Sequence, residues 1–205
     1  MQYVYSLFYF FHPSLAGVAS GLLHLDLSNN CIRELPELYF EETHSLEFLD
    51  LSGNQLQQVP KLHDLEWTLT NLLLGRNLIE NLNEIYNASL LTSLINIDLA
   101  FNNITEIDLQ LINENCPKIK NIYVNNNIIS TLSDTVELDN LTGTHFRLHA
   151  GNNPFICDDR IAWMMQPACT GYFSDALEVS HPVVVILIMR RAQTMLLQLI
   201  VLKMK

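Results

Sequence analysis

The side chains that could perform chemistry in this sequence are four cysteines, seven histidines and two adjacent acids, Asp158 and Asp159. The histidines and cysteines do not recur at spacings that bind a metal ion, so we predict no metal site. The chain also lacks a nucleophile elbow, a zinc-protease motif, a phosphate-binding loop and a dinucleotide-binding glycine pattern. Because adjacent residues rarely converge on one substrate, we interpret the two acids as solvated or capping carboxylates. The sequence therefore predicts neither an enzyme nor a bound cofactor.

The elements that position the remaining side chains come from a repeat rich in leucine and asparagine. The pattern L-x-x-L-x-L-x-x-N-x-L, with conservative Ile or Val replacements, occurs in five clear copies and one degenerate copy. The clear copies recur every 23 to 25 residues and begin at Leu22, Leu46, Leu69, Leu94 and Ile119. The asparagine position is filled in all six copies, by Asn30, Asn54, Asn77, Asn102, Asn127 and Asn153. This regularity indicates a stack of similar structural units.

The L-x-L core of each copy alternates with period two, which predicts a short strand with one buried face. One such strand cannot bury its face alone, so stacked copies are expected to form a parallel sheet over one elongated core. The asparagine after each strand has a donor and an acceptor, and stacked copies could satisfy the bent backbone as a ladder. The downstream apolar residues are expected to pack the convex side, in irregular or short helical segments. These residues are Leu35, Phe40, Val59, Leu65, Leu82, Leu90, Ile107, Leu111, Leu132 and Leu141.

This pattern resembles the leucine-rich-repeat family, whose period is about 20–29 residues. The resemblance covers roughly residues 22–160. It implies an α/β-type solenoid, with a short-strand parallel sheet on the concave face and irregular or short helical convex segments. We assign residues 21–153 to the repeats.

The sequence NPFICDDRIAW, which begins at Asn153, resembles the start of the cysteine-containing C-terminal cap of extracellular leucine-rich-repeat proteins. A solenoid end exposes its apolar core, so a cap is physically required, and we assign residues 154–180 to a partial cap. The resemblance implies a disulfide between Cys157 and Cys169, and the alternative is two thiols in an incomplete cap. Asp159 stands where the family usually has a second cysteine.

The two ends of the chain fit the pattern less well. Residues 1–20 are interpreted either as a signal peptide, because small residues follow an apolar aromatic stretch, or as the remnant of an earlier repeat. Residues 181–205 form an atypical apolar tail that is interrupted by Arg190 and Arg191. A membrane-spanning helix needs about 20 apolar residues without central charges, so the tail leaves membrane association open without supporting a full span.

Three Asn-x-Ser/Thr acceptors for N-linked glycans begin at Asn87, Asn103 and Asn140. Asn87 and Asn140 fall in predicted convex segments, and Asn103 is expected to point outward because it follows the ladder residue Asn102. Together with the resemblance to a disulfide cap, these acceptors favour a glycosylated protein that is secreted or forms an ectodomain at the cell surface. A cytoplasmic protein with fortuitous acceptors is the alternative.

The formal net charge is −11, and the first 180 residues hold seven basic and 22 acidic side chains. A body this acidic should repel nucleic acid, so we predict a protein ligand and no nucleic-acid partner. The resemblance places the binding surface on the concave face. The first repeats contribute acidic residues to this face and the following repeats contribute aromatic residues and arginine, a composition typical of interfaces. The candidate ligand-binding residues are Asp26, Phe48, Asp50, Leu73, Arg76, Asp98, Phe101, Tyr123, Asn126 and His149. The alternative is a face that is simply solvated.

The leading functional hypothesis is a non-enzymatic protein-binding module of a secreted or cell-surface protein. Two alternatives remain open: a non-catalytic accessory subunit of a secreted enzyme, and a cytosolic leucine-rich-repeat adaptor. The solenoid fold does not choose among them, because function depends on the residues that the surface carries.

Overall fold

The structure, a computed structural model, describes residues 3–4, 20–37, 39–41, 43–86, 91–132 and 146–154. The strands within these residues are β1 (Tyr3–Val4), β2 (His24–Asp26), β3 (Phe48–Asp50), β4 (Asn71–Leu73), β5 (Asn96–Asp98), β6 (Glu106–Ile107), β7 (Asn121–Tyr123), β8 (Thr131–Leu132) and β9 (Arg147–His149). All except β6 and β8 form one parallel sheet in the order β1-β2-β3-β4-β5-β7-β9, and β6 pairs with β8 in a second parallel sheet.

Each strand of the large sheet from β2 onward comes from one copy of the sequence repeat. Equivalent positions pair across the sheet, so that Leu25 lies opposite Leu49 and Leu49 lies opposite Leu72. This in-register stacking confirms the predicted solenoid of short parallel strands. At the other side of β2, β1 pairs in parallel with Tyr3 opposite Leu25. The sheet therefore extends one strand before the first clear copy.

The convex side carries short helical segments, as the resemblance implied. They are a 3₁₀ helix (His63–Leu65), α1 (Asn83–Tyr86) and α2 (Leu109–Asn115). The Asp108 carboxylate caps α2 by accepting a hydrogen bond from the Leu111 N–H at 3.0 Å. Tyr86 joins the two α-helical segments, because its hydroxyl oxygen accepts a hydrogen bond from the Asp108 N–H at 2.9 Å. Burial raises the pKa of Tyr86 to about 12.

The repeat leucines and isoleucines form one continuous core. The middle residue of every strand of the large sheet from β2 to β9 is at most 2% exposed. Among the predicted convex residues, Phe40, Val59, Leu65, Leu82 and Ile107 are buried. Leu35 and Leu111 are only partly buried. The side chains of Leu90, Leu132 and Leu141 lie outside the description.

From the second copy onward, the asparagine that follows each strand connects its own turn to the preceding repeat. Asn77 Nδ2 donates to the Leu51 carbonyl of the preceding repeat at 2.9 Å and to the Leu74 carbonyl of its own at 3.0 Å. Its Oδ1 accepts from the Leu56 N–H at 3.0 Å. The same three bonds recur at Asn54, Asn102, Asn127 and Asn153, all of them buried. The predicted ladder is therefore present, and it runs through the backbone rather than from one amide to the next.

Several predicted features lie outside the described residues. They are the disulfide between Cys157 and Cys169, the tail of residues 181–205 and the glycan acceptors Asn87 and Asn140.

Candidate ligand-binding face

Seven of the ten predicted binding residues lie in strands of the large sheet. The first and third residues of a strand share the open face while the second is buried, because side chains alternate along a strand. The partly exposed members are Asp26, Phe48, Asp50, Leu73, Asp98, Tyr123 and His149. The other three, Arg76, Phe101 and Asn126, lie in the turns that follow β4, β5 and β7. The sheet register aligns the seven strand residues across the repeats. The other three are aligned by backbone hydrogen bonds from their own N–H groups to the turn of the next repeat. We refer to the ten residues together as the concave strip.

The aspartates of the concave strip have a local structural role that the sequence analysis did not anticipate. Asp26 and Asp50 are direct neighbours across β2 and β3, as predicted. Each also accepts a hydrogen bond from the backbone two residues further on, Asp26 from the Ser28 N–H at 2.9 Å and Asp50 from the Ser52 N–H at 2.8 Å. These bonds fix the turn after the strand, and they offset part of the repulsion between the two carboxylates.

Asp98 makes the same turn bond with the Ala100 N–H at 2.9 Å. Burial raises the pKa of Asp98 and the nearby Asp50 carboxylate raises it further, whereas the Ala100 hydrogen bond and the charge of Arg76 act in the opposite direction. Gly75 leaves room for this carboxylate, since a Cβ there would lie 3.3 Å from both oxygens of Asp98. The centre of the concave strip therefore holds a partly desolvated acid.

Aromatic contacts occur at three places along the concave strip. The His24 and Phe48 rings stack with centroids 5.5 Å apart. The Tyr123 and His149 rings stack at 4.3 Å. Between them, the guanidinium carbon of Arg76 lies 4.7 Å from the centroid of the Phe101 ring, in cation–π geometry. His24 was not among the predicted binding residues, although its place beside Phe48 follows from the register alone.

The turn after each strand uses a left-handed backbone, which the sequence analysis also missed. The residues with positive φ occupy the same position in all six copies: Asn29, Gly53, Arg76, Phe101, Asn126 and Asn152. Asn and Gly tolerate this conformation, whereas other residues accept it at a cost of about 1 kcal/mol. The recurring Asn and Gly at this position could have predicted the left-handed turn from the sequence. Arg76 (φ 58°) and Phe101 (φ 57°) are the two departures from it.

A second line of asparagines runs along the open face of the sheet. Asn96 Nδ2 donates to Asn71 Oδ1, and Asn121 Nδ2 donates to Asn96 Oδ1, both at 2.6 Å. The sequence signal was an asparagine at the same position of three successive copies. These amides join β4, β5 and β7 beside the centre of the concave strip.

Most of the exposed large apolar side chains were not predicted. The large ones among the described residues are Leu23, Trp67, Leu78, Phe101 and Ile128, and Trp67 is 73% exposed. Only Phe101 belongs to the concave strip.

Within the residues that the structure describes, no three His, Cys, Asp or Glu side chains are grouped as metal ligands would be. No described helix has the length and apolar character needed to cross a bilayer.

Comparisons with known proteins agree with this architecture. A family model described as leucine rich repeat matches residues 8–56. The crystal structure of the LRIM1/APL1C complex is similar over 67% of this chain and 24% of the matched chain, with 27% identity and a TM-score of 0.53. The internalin InlF of Listeria monocytogenes is similar over 76% of this chain and 47% of the matched chain, with 21% identity and a TM-score of 0.51. A comparison with curated proteins gives no significant match.

The stacked strands and the asparagine ladder define a parallel repeat solenoid. With the family model and the similar structures, they show that the chain has a leucine-rich-repeat solenoid fold. The chain spans about a quarter of the first matched structure and about half of the second. This fold is typical of protein–protein interaction modules and is generally not catalytic.

Proposed function

We propose that the chain is a non-enzymatic module of a secreted or cell-surface protein, and that it binds a protein ligand on the concave strip. The observation that carries the proposal is the contact between Arg76 and Phe101. Both side chains are exposed and they lie against each other in successive repeats. Arginine and aromatic residues dominate the binding energy of protein interfaces.

The backbone at these two residues supports the same conclusion. The equivalent position holds Asn or Gly in the other four copies, which are the residue types that accept a left-handed conformation. Arg76 and Phe101 therefore cost backbone energy that Asn or Gly would avoid. Strained positions of this kind concentrate at functional sites, where the side chain is needed for contact with a ligand.

The charges of the concave strip indicate the chemistry of the ligand. Asp26 and Asp50 lie side by side next to the stacked His24 and Phe48 rings. An acidic pair beside aromatic surface is complementary to lysine or arginine, whose apolar stems pack on rings while their charges meet carboxylates. We therefore expect a partly basic protein surface to dock here.

The proposed location outside the cell rests on the sequence. The segment from Asn153 to Trp163 resembles an extracellular disulfide cap, and three N-glycan acceptors are present. One of them, Asn103, has an exposed side chain, as a glycosylated residue requires.

Photo-crosslinking from two positions tests the proposed binding face. We would replace Phe101 with p-benzoyl-phenylalanine and, in a matched control, replace the exposed Glu114 of the convex helix α2. Each variant would be produced in a secretory host and irradiated on intact cells. Capture of a protein from position 101, but not from position 114, is the expected result. Capture of the same proteins from both positions, or of none from position 101, would contradict the proposed face.

The acidic pair supplies the second part of the test. Replacing both Asp26 and Asp50 with serine should abolish the capture, whereas replacing the exposed Glu80 and Glu114 should not. Serine is preferred because asparagine at either position would create a new glycan acceptor with Ser28 or Ser52. Equal loss of capture in both double variants would show that net charge alone, and not the concave strip, recruits the partner.

A further inference from the structure

The residue directly after each ladder asparagine lies on a line that crosses the repeats beside the turns. In three successive repeats these residues are Leu78, Asn103 and Ile128. Their N–H groups donate to carbonyls of the preceding repeat: Leu78 to Leu56 at 2.8 Å, Asn103 to Ile79 at 2.9 Å and Ile128 to Ile104 at 3.1 Å. The three residues are therefore held in register, about one strand spacing of 4.8 Å apart. We refer to them as the flank line.

The flank line places two exposed aliphatic side chains on either side of an exposed amide. Leu78 is 43% exposed and Ile128 is 52% exposed. In the two preceding repeats the equivalent positions hold Cys31 and Gln55, and Gln55 accepts a hydrogen bond from Arg33 Nε at 3.2 Å. A single exposed aliphatic residue needs no explanation, but two that bracket one amide form a small apolar surface with a polar centre.

The amide at the centre belongs to the glycan acceptor Asn103-Ile104-Thr105. Ile104 is fully buried and anchors this segment in the core, while Asn103 and Thr105 are both exposed. The neighbouring Asn102 is buried and bonded on all sides to backbone groups. The Asn103 side chain, by contrast, forms no hydrogen bond with the residues that the structure describes. Its Nδ2 is accordingly available for a covalent attachment that leaves the fold intact.

We propose that Asn103 carries an N-linked glycan whose first sugar packs its C–H face against Leu78 and Ile128. This inference rests on the proposed function, because the chain must enter the secretory pathway. The donor is a lipid-linked oligosaccharide diphosphate. Asn103 Nδ2 attacks the anomeric carbon of its first sugar, the bond from that carbon to the diphosphate oxygen breaks, and Nδ2 releases one proton. No atom changes its oxidation state, and the lipid diphosphate is the leaving group.

The attached glycan accounts for the two aliphatic residues of the flank line. Because neighbouring positions are about one strand spacing apart, the proposal places the first sugar on Asn103 between these two side chains, next to both. Covering both removes apolar surface from water and so reduces the tendency of this edge to associate nonspecifically.

Two substitutions of Thr105 test the attachment. Thr105→Ala removes the acceptor and keeps Asn103, whereas Thr105→Ser keeps the acceptor. Each protein would be secreted, treated with peptide N-glycosidase, which converts a glycosylated asparagine to aspartate, and mapped by peptide mass at positions 87, 103 and 140. Conversion at Asn103 in the wild type and in Thr105→Ser, but not in Thr105→Ala, is the expected result. A secreted chain that is modified elsewhere but not at Asn103 overturns this inference and leaves the proposed extracellular function standing. A retained chain with three unmodified acceptors overturns both.

The packing is tested by fluorescence of the apolar dye anilinonaphthalene sulfonate. The fluorescence should rise in Thr105→Ala and return to the wild-type level when Leu78→Gln and Ile128→Gln are added. Glutamine is chosen because it already occupies the equivalent position 55. Serine at position 128 would instead create a new glycan acceptor that begins at Asn126. Equal fluorescence of the wild type and Thr105→Ala would show that the sugar does not cover Leu78 and Ile128.

Discussion

Asn102 and Asn103 are neighbours in the sequence with opposite surroundings. Asn102 is 6% exposed, and its amide joins two repeats through three backbone hydrogen bonds. Asn103 is exposed and lies one residue outside that network. The same residue type therefore stabilises the core at one position and offers a surface group at the next, so residue identity alone does not define a role.

Alanine substitutions at the two positions should separate these roles. Asn102→Ala leaves the buried Ile79 N–H without its partner and removes one of the two amide donors from each of the Leu74 and Leu99 carbonyls, which should cost about 2 kcal/mol. Asn103→Ala should change the free energy of unfolding by less than about 0.5 kcal/mol. Urea denaturation of unglycosylated protein measures both. Similar losses at the two positions would be inconsistent with a backbone ladder at Asn102.

The two described cysteines should differ in reactivity. Cys31 is exposed, while burial raises the pKa of the Cys116 thiol to about 12. Because the thiolate is the reactive form, N-ethylmaleimide at pH 7 should modify Cys31 in the folded protein and reach Cys116 only after denaturation. Peptide mass mapping follows both sites, and equal labelling rates in the folded protein would contradict the buried position of Cys116.

Asp98 should make the stability of the fold depend on pH. Its pKa is raised above the ordinary 3.8, chiefly by burial, so the folded chain holds this proton more tightly than the unfolded chain does. The stabilisation that protonated Asp98 contributes to the folded state is complete below pH 3.8. It is lost as the pH rises through the pKa of Asp98 in the folded chain. Asp98→Asn removes this loss and retains an oxygen for the Ala100 N–H. The variant should be more stable than the wild type at pH 7 and equal to it near pH 3, as measured by urea denaturation. A wild type that is the more stable protein at pH 7 would reverse the assigned direction.

At the scale of elements, the turn after each strand is the least tolerant part of a repeat. Gly53 has φ +67°, and an added Cβ would lie 2.6 Å from Asn29 Oδ1 in the preceding repeat. Gly53→Ala should therefore destabilise the fold by about 1–2 kcal/mol, since alanine is strained in this backbone.

Gly21→Ala is the matched control for this turn, because a Cβ at Gly21 would meet nothing within 4 Å. It should leave the midpoint of urea denaturation unchanged. If the two glycine variants unfold at the same urea concentration, the left-handed turn does not limit stability.

At the scale of the whole molecule, the features that recur in every copy were predictable, whereas the side-chain contacts particular to one pair of copies were not. The repeat period, the buried middle residues of the strands and the ladder asparagines follow from a pattern that recurs six times. The stacking of Tyr123 on His149 and the contact of Arg76 with Phe101 depend on side chains about 25 residues apart in the sequence. Periodicity gives their register but not the direction of each side chain, so the concave strip was predicted as a list of positions without its internal contacts.

Arg76→Asn gives the most direct test of the claim that the concave strip exists for binding. Asparagine relieves the strain of the left-handed backbone at this position. This gain offsets the loss of the cation–π contact with Phe101, which is worth about 0.5–1 kcal/mol. The free energy of unfolding should therefore change by less than about 0.5 kcal/mol. Affinity for the protein captured from position 101 should fall by about 30-fold, as expected for a contact that contributes about 2 kcal/mol. Unchanged affinity with unchanged stability would show that Arg76 serves neither purpose and would contradict the proposed binding face.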